Sequence, residues 1–526
     1  MYRRLLESPC VLTLFVLSCS VLLVLHQAAL LYTAYSGHDQ AWYLIAAGRV
    51  LDGARLYGPY VSDTNPPMIV WFSALPVLLS RLVPLSATVC LRLVVLALWI
   101  TSAAWCMRIL RSADGMESPL VRAVIGLGIL YVGLRMDPLQ FGQREHLFVV
   151  FALPYLFAVG TGAVERLSLV ERCVLGGMAG LAVCFKPQYA LAFATAEIVL
   201  AMAGRTLRRL WSPELVSLVA GCGLYLVTVR IVTPQYTREM VSLLLDTYWA
   251  YGTSSVVALL AAMKLWLLLA LVVVATSLLL LRRSGLFMAA AVFAACSVGS
   301  MLAYAQQRAD WTYHRYPVWS FLILAAGLFL LSVLQPVLLR WQGVVIRRPV
   351  ALACLAAVFV VGIGFFPRQL AALRPQRSEV YRFLEKQRDA GTVLVLSTAV
   401  FWVGDVADLK LGWGARFPCL PFLPAVVQNE DGPTGVGRPF RQLSPEKLAA
   451  ISSLQRAEMA EDLNHFQPSL VMVERCDPRH PCQAIEGKSF DTIGWFLQDQ
   501  QFAEAWSHYR RQPDGPASFD VYVRVP

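Results

Sequence analysis

The chain has 526 residues, 57% hydrophobic and 15% charged, with mean hydropathy +0.57 and formal net charge +11. That is too apolar for a soluble multidomain protein and points to repeated membrane crossing. The positive charge does not indicate nucleic acid, because the basic residues are mostly arginines scattered at the ends of apolar runs, without a lysine-rich patch or stripe.

A crossing helix needs roughly 20 apolar residues, within a range of about 17 to 25. Eleven runs of this kind cover 11–32, 88–110, 119–134, 147–164, 173–185, 187–204, 213–233, 256–281, 285–305, 316–339 and 349–366, with two left short by the break at Lys186-Pro187. The first run is too long for a signal-peptide core, lacks a small-residue cleavage site and follows Arg3-Arg4. It reads as a retained helix whose N-terminus is cytoplasmic. Near-naked arginine pairs then recur in alternate gaps: Arg108/Arg111, Arg166/Arg172, Arg205/Arg208/Arg209, Arg282/Arg283, and Arg340 with Arg347/Arg348. Such pairs mark the cytoplasmic face. The other gaps also contain arginines, but among acids, and they hold Asp39, Asp63, Asp137, Arg144-Glu145-His146, Lys186, Asp246, Asp310 and His314. The expected active site therefore lies at the outer face of the plasma (inner) membrane.

Residues 33–87 are too long and too punctuated for an ordinary loop. Asp39 precedes AWYLIAAGRVLDG, a helix ended by Gly53, and Asn65-Pro66-Pro67 precedes the aromatic-rich MIVWFSALPVLLSRLVP, read as an interfacial helix. Asp39, at a helix start beside His38 and half desolvated near the headgroups, suits base work, although an N-cap would use the same residue type.

Asp137-Pro-Leu-Gln-Phe-Gly-Gln143-Arg144-Glu145-His146 is the densest group of donors and acceptors near hydrocarbon, so its charges should pair or face a cavity. In the functional reading, Arg144 and His146 contact an anionic group while Glu145 or Asp137 orients an acceptor. In the structural reading, Arg144 pairs with an acid and Glu145 complements the helix dipole. The spacing is no metal motif, although Asp137, Glu145 and His146 could bind a divalent cation. Lys186 can hold a lipid phosphate or serve as a snorkelling anchor. His314-Arg315, in a segment whose aromatics an interfacial belt explains, are further phosphate candidates.

Beyond 366 the pattern becomes charged and mixed. A helix from Ser378 to Gly391, a strand from Val393, an amphipathic helix from Ser444, the strand PSLVMVE, a helix over FDTIGWFLQDQQFAEAW and the strand SFDVYVRV make a small α/β domain over 367–526, with 404–443 irregular. Most of the 12 cysteines sit in apolar runs. Cys476 and Cys482, six apart with two prolines between, could close a disulfide, remain free thiols or, less readily, join His480 on zinc.

The order of these features resembles the GT-C superfamily of integral-membrane glycosyltransferases, in the branch of the RgtA/B/C/D-like, ArnT-like and protein O-mannosyltransferase enzymes. It is carried by Asp39 with its aromatic helix, Thr64-Asn65-Pro66-Pro67, the polar second outer loop, Lys186-Pro187, Trp311-x-Tyr313-His314-x-Tyr316-Pro317 and a C-terminal outer domain. The resemblance implies a polytopic helical domain over 1–366, a polyprenyl-phosphate sugar donor and a glycan, lipid or protein acceptor. It also implies Asp39 as general base and an inverting transfer, with Asp63, Asp137 and Glu145 as supporting acids. Where the family carries a lysine before the prolines this chain has Asn65, and the usual Asp-Glu pair is Asp39-Gln40. Arg144, His146, Lys186, His314 or Arg315 would then hold the donor phosphate. No nucleotide-binding glycine fingerprint is present, as a lipid-linked donor requires none. The competing classes are a multi-span transporter or flippase, which should carry charges deep within its spans, and a non-catalytic envelope-assembly scaffold.

Overall fold

The computed structural model describes residues 11–114, 116, 118–281, 285–340, 347–372, 377–432, 438–482, 485 and 488–525. Arg3, Arg4, Arg282 and Arg283 lie outside these residues. Every expected apolar run contains helix. The order is α1 Val11–Thr33, α2 His38–Leu51, α3 Met68–Leu82, α4 Ala87–Ser112 and α5 Pro119–Leu134, then α6 Arg144–Gly160, α7 Leu169–Phe185, α8 Ala190–Gly204, α9 Pro213–Val232 and α10 Val241–Thr247. It continues with α11 Val256–Ala262, α12 Lys264–Leu280, α13 Leu286–Gln306, α14 Tyr316–Arg340 and α15 Arg348–Ala372.

Among the described residues six helical segments, in α1, α4, α9, α13, α14 and α15, are each long and apolar enough to cross a bilayer. The run expected as one straight span over 256–281 is instead two helices bent by 68° at Met263, a seventh crossing if they act together. The four remaining expected spans, α5 to α8, are shorter. For α6 the reason is visible, since all of its residues are buried and its surroundings are protein rather than lipid. α3 behaves as an edge element. It packs beside α2, its Arg81 pairing with Asp52 just beyond that helix at 2.8 Å.

At the opposite end four of the arginines have acidic partners. Arg166 pairs with Asp114 at 2.6 Å, Arg172 with Glu214 at 2.8 Å and Arg209 with Glu197 at 2.7 Å, and Arg108 pairs with Glu171. Their acids come from neighbouring helices and, for Asp114, a neighbouring connection, which a reading of one gap at a time does not combine. Glu197, within α8, also accepts a hydrogen bond from Tyr155 at 2.6 Å, so its charge is paired.

The C-terminal α/β domain holds a five-stranded sheet in the order β2-β1-β3-β5-β4, from β1 Thr392–Leu396, β2 Gly412–Trp413, β3 Leu470–Glu474, β4 Tyr509–Gln512 and β5 Phe519–Arg524. β2, β1 and β3 run parallel, while β5 and β4 are antiparallel additions. The expected starts at Ser378 and Ser444 are N-caps, their hydroxyls accepting from Tyr381 and Lys447 amides. Residues 404–443 are more regular than expected, containing most of helix Trp402–Asp408, strand β2 and helix Leu423–Asp431. These elements are too short to display a period. The single helix expected over 490–506 is two, because Asp499 caps a second one by accepting from the Phe502 amide at 2.9 Å.

Cys476 and Cys482 are joined in a disulfide, and His480 turns to Asp477 at 3.3 Å, so the zinc reading is set aside. Closing so short a loop stabilises by about 2 kcal/mol. Cys476→Ser with Cys482→Ser is expected to lower the unfolding midpoint of the purified protein by a few degrees. Reductant should lower the wild type equally and leave the double variant unmoved.

The domain is clamped to the helical region. Arg49 of α2 donates to the Ala415 carbonyl at 2.6 Å and also to the Trp413 carbonyl, and the Ser62 amide donates to the Arg416 carbonyl at 2.8 Å. Asp246 of α10 accepts Lys447 at 2.7 Å and Arg441 at 3.0 Å.

Candidate active site

Five short connections and the C-terminal domain meet above the ends of α2, α6 and α14. The meeting begins at Gly37, where a Cβ would run into the Leu139 carbonyl; only glycine lets the 137–143 turn approach the start of α2 this closely. Gln40 secures the approach by donating to the Pro138 carbonyl at 3.4 Å and the Phe141 carbonyl at 2.5 Å.

Gly37, not Asp39, occupies the N-cap position of α2, and its amide is satisfied by Gln40 Oε1 at 3.3 Å. The Asp39 carboxylate is therefore free for other work. Its Oδ2 accepts from Gln143 Nε2 at 2.6 Å, while Oδ1 faces His38 Nε2 at 3.7 Å. One oxygen is held by an amide, the other accepts no hydrogen bond among the described residues, and the residue borders open space.

That space is a cavity of about 350 Å³. Its walls are His38, Asp39 and Trp42 from α2, Asp63 to Asn65 from the loop before α3, Gln140 and Arg144 at the start of α6, and Asp310 to Tyr313 before α14. Tyr248 and Tyr251 follow α10, and the C-terminal domain supplies Thr398, Val400, Phe401, Pro418, Cys419 and Pro421. Burial pushes the Cys419 thiol up to about 12, so it is protonated at neutral pH and no ready nucleophile.

Arg144 is buried, donates to the Asn65 side-chain carbonyl and leaves its Nε without a partner among the described residues. Neither sequence reading anticipated a neutral amide as its partner. Asp63 accepts from Trp42 Nε1 at 2.8 Å, from the Asn65 amide at 2.7 Å and from Asn65 Nδ2 at 2.8 Å.

Burial outweighs those three donors and pushes Asp63 up to about 6. The sign follows from linkage. Between pH 4 and 6 the unfolded carboxyl ionises while the folded one keeps its proton, so stability falls as pH rises through that window and levels off above it, by about 3 kcal/mol in total. Asp63→Asn is expected to lessen the slope of the unfolding midpoint between pH 4 and 6, the remainder coming from Asp462 and Glu458, which burial raises to about 6 and about 7. A slope equal to that of the wild type would assign the dependence elsewhere.

The remaining sequence candidates lie outside the cavity lining. Glu145 is fully buried and bonded to Lys186, with His314 Nε2 3.6 Å from the same oxygen. His146 stacks near Phe141, its ring nitrogens at 3.1 Å from the Gly142 amide and 2.8 Å from the Gly133 carbonyl. It does not line the cavity. Arg315 pairs with Asp310, and Asp137 caps the 138–140 turn through the Leu139 amide at 2.8 Å. Asp137, Glu145 and His146 thus do not converge on a cation, and among the described residues no three His, Cys, Asp or Glu side chains are placed to hold a metal. The residues that sequence reasoning missed are Gln143, Tyr248, Tyr251 and the domain segments. Only Tyr248-Trp249-Ala250-Tyr251, an aromatic cluster following Asp246 in an outer gap, left a local signal.

A polytopic helical bundle carrying this cavity beneath a C-terminal α/β domain is a fold that solved structures also show. Solved structures that share it include ArnT from Cupriavidus metallidurans bound to undecaprenyl phosphate, with TM-score 0.51 and 12% identity over 97% of this chain and 98% of that one. The apo state of the same protein gives TM-score 0.50 and 13% identity over the same shares. The Archaeoglobus fulgidus oligosaccharyltransferase in complex with Zn and sulfate aligns with TM-score 0.44 and 12% identity, over 96% of this chain and 73% of that one. No family model matches the sequence, and no curated protein matches it significantly.

Proposed function

We propose that the protein is a membrane glycosyltransferase that moves a sugar from a polyprenyl-phosphate donor to a hydroxyl of a glycan, lipid or protein acceptor. The observation that carries this reading is the pairing, on one cavity, of a carboxylate with one oxygen held and one open (Asp39) and a buried, incompletely bonded guanidinium (Arg144). Asp39 takes the acceptor proton, the acceptor oxygen attacks the anomeric carbon, and Arg144 stabilises the charge that develops on the leaving lipid phosphate. A single displacement of this kind inverts the anomeric centre. Trp42, Tyr248, Tyr251, Trp311 and Tyr313 give the sugar apolar faces to rest on.

The helical domain, 1–366, then holds the lipid donor. Domain 367–526 roofs the cavity on the outer, periplasmic side of the plasma membrane, where its disulfide is stable, and the N-terminus is cytoplasmic. Proteoliposomes given polyprenyl-phosphate sugars of several kinds together with glycan, lipid and protein acceptors are expected to consume one donor, releasing free polyprenyl phosphate as the sugar appears on an acceptor. Movement of an intact substrate across the bilayer with no product formed would instead establish transport.

A further inference from the structure

Every polar group of Asn65 is committed. Its backbone amide donates to Asp63 Oδ1 at 2.7 Å, its carbonyl accepts from Tyr57 OH, and its side-chain Nδ2 donates to Asp63 Oδ1 at 2.8 Å and Tyr43 OH at 3.3 Å. With a carboxylate on one side, the amide has only one favourable orientation, and its Oδ1 must point the other way. There it meets Arg144. Trp42 Nε1 fixes the other Asp63 oxygen at 2.8 Å, so the chain Trp42–Asp63–Asn65–Arg144 is continuous. Pro66 and Pro67, immediately following, restrict the backbone that carries it.

We infer that Asn65 is a positioning residue that aims the Arg144 guanidinium into the cavity. Resting on the transferase reading, it assigns the lipid-phosphate subsite to one arginine held by one neutral amide. Neutrality matters, because an amide orients the guanidinium without cancelling its charge, whereas a carboxylate there would compete with the phosphate. Arg144, which lines the cavity, then keeps its charge and the guanidinium donors that Asn65 does not use.

The test is equilibrium binding of undecaprenyl phosphate, and of uncharged undecaprenol, to the full-length protein in nanodiscs. For Asn65→Ala, phosphate affinity is expected to fall about 10- to 100-fold with undecaprenol affinity unchanged, the loss of a charge-assisted bond that orients the cation. Asn65→Asp keeps the shape and an acceptor but should weaken phosphate binding at least as much. It covers the case in which the alanine variant does not fold. Wild type that binds neither lipid overturns the transferase reading. Wild type that binds phosphate with both variants binding it equally well overturns the role of Asn65. So does a parallel loss of both lipids, which marks a structural defect.

Discussion

Asp39→Asn is expected to lower kcat for sugar transfer by about 10²- to 10⁴-fold, the usual contribution of a positioned general base, while leaving KM for the lipid donor near its wild-type value. The substitution is nearly isosteric and its carbonyl can still accept from Gln143 Nε2, the contact that ties α2 to the start of α6 at 2.6 Å. The Asn65–Arg144 contact involves neither of these residues, so the phosphate subsite should survive. What disappears is the proton acceptor on the open side of the carboxylate. Asp39→Glu should be intermediate, since it keeps the base but moves it by about one methylene, and misplacement on that scale costs about 10²-fold. Single-turnover assays in proteoliposomes, with expression and unfolding midpoint as controls, measure both variants. An asparagine variant that turns over at the wild-type rate would move the base to another group and remove the mechanism proposed for this cavity.

Much of this architecture is readable from local pattern. The caps at Ser378 and Ser444 and the glycine-ended helix after Asp39 occur where short-range chemistry places them. Cys476 and Cys482 pair because prolines and proximity favour closure. The site is less legible because its decisive contacts are long-range. Gln143 reaches Asp39 across 104 positions, Arg144 reaches Asn65 across 79, and Tyr251 bonds the Thr398 carbonyl across 147. No periodicity or spacing encodes such pairs. For the same reason several arginines of alternate gaps looked unpaired, since their partners Glu171, Glu214 and Glu197 lie on helices α7, α9 and α8. His146 shows the complementary case. Polar residue type and a place in a dense cluster suggested a ligand, but α6 turns the ring into protein, against Phe141 and Tyr316.

Glu145 and Lys186 make the second large prediction. The pair is almost completely enclosed, with side-chain exposures of 0% and 5%, and it joins the first turn of α6 to the Lys186–Tyr189 connection. Removing one partner strands the other charge in a medium that cannot solvate it, so Glu145→Gln or Lys186→Met alone is expected to cost about 3–5 kcal/mol. The combination of Glu145→Gln with Lys186→Met leaves no stranded charge and should recover most of that loss, a non-additivity that a double-mutant cycle on unfolding midpoints reads directly. The same double variant decides what Lys186 is for. As an anchor buried outside the cavity lining it can be replaced, and the refolded double variant should transfer sugar at close to the wild-type rate with undecaprenyl phosphate affinity unchanged. As a phosphate ligand it cannot be replaced, and the double variant would be stable yet lose that affinity. The geometry favours the anchor, because the Lys186 ammonium is already bonded to Glu145 while Arg144, one residue away, is the cation on the cavity wall.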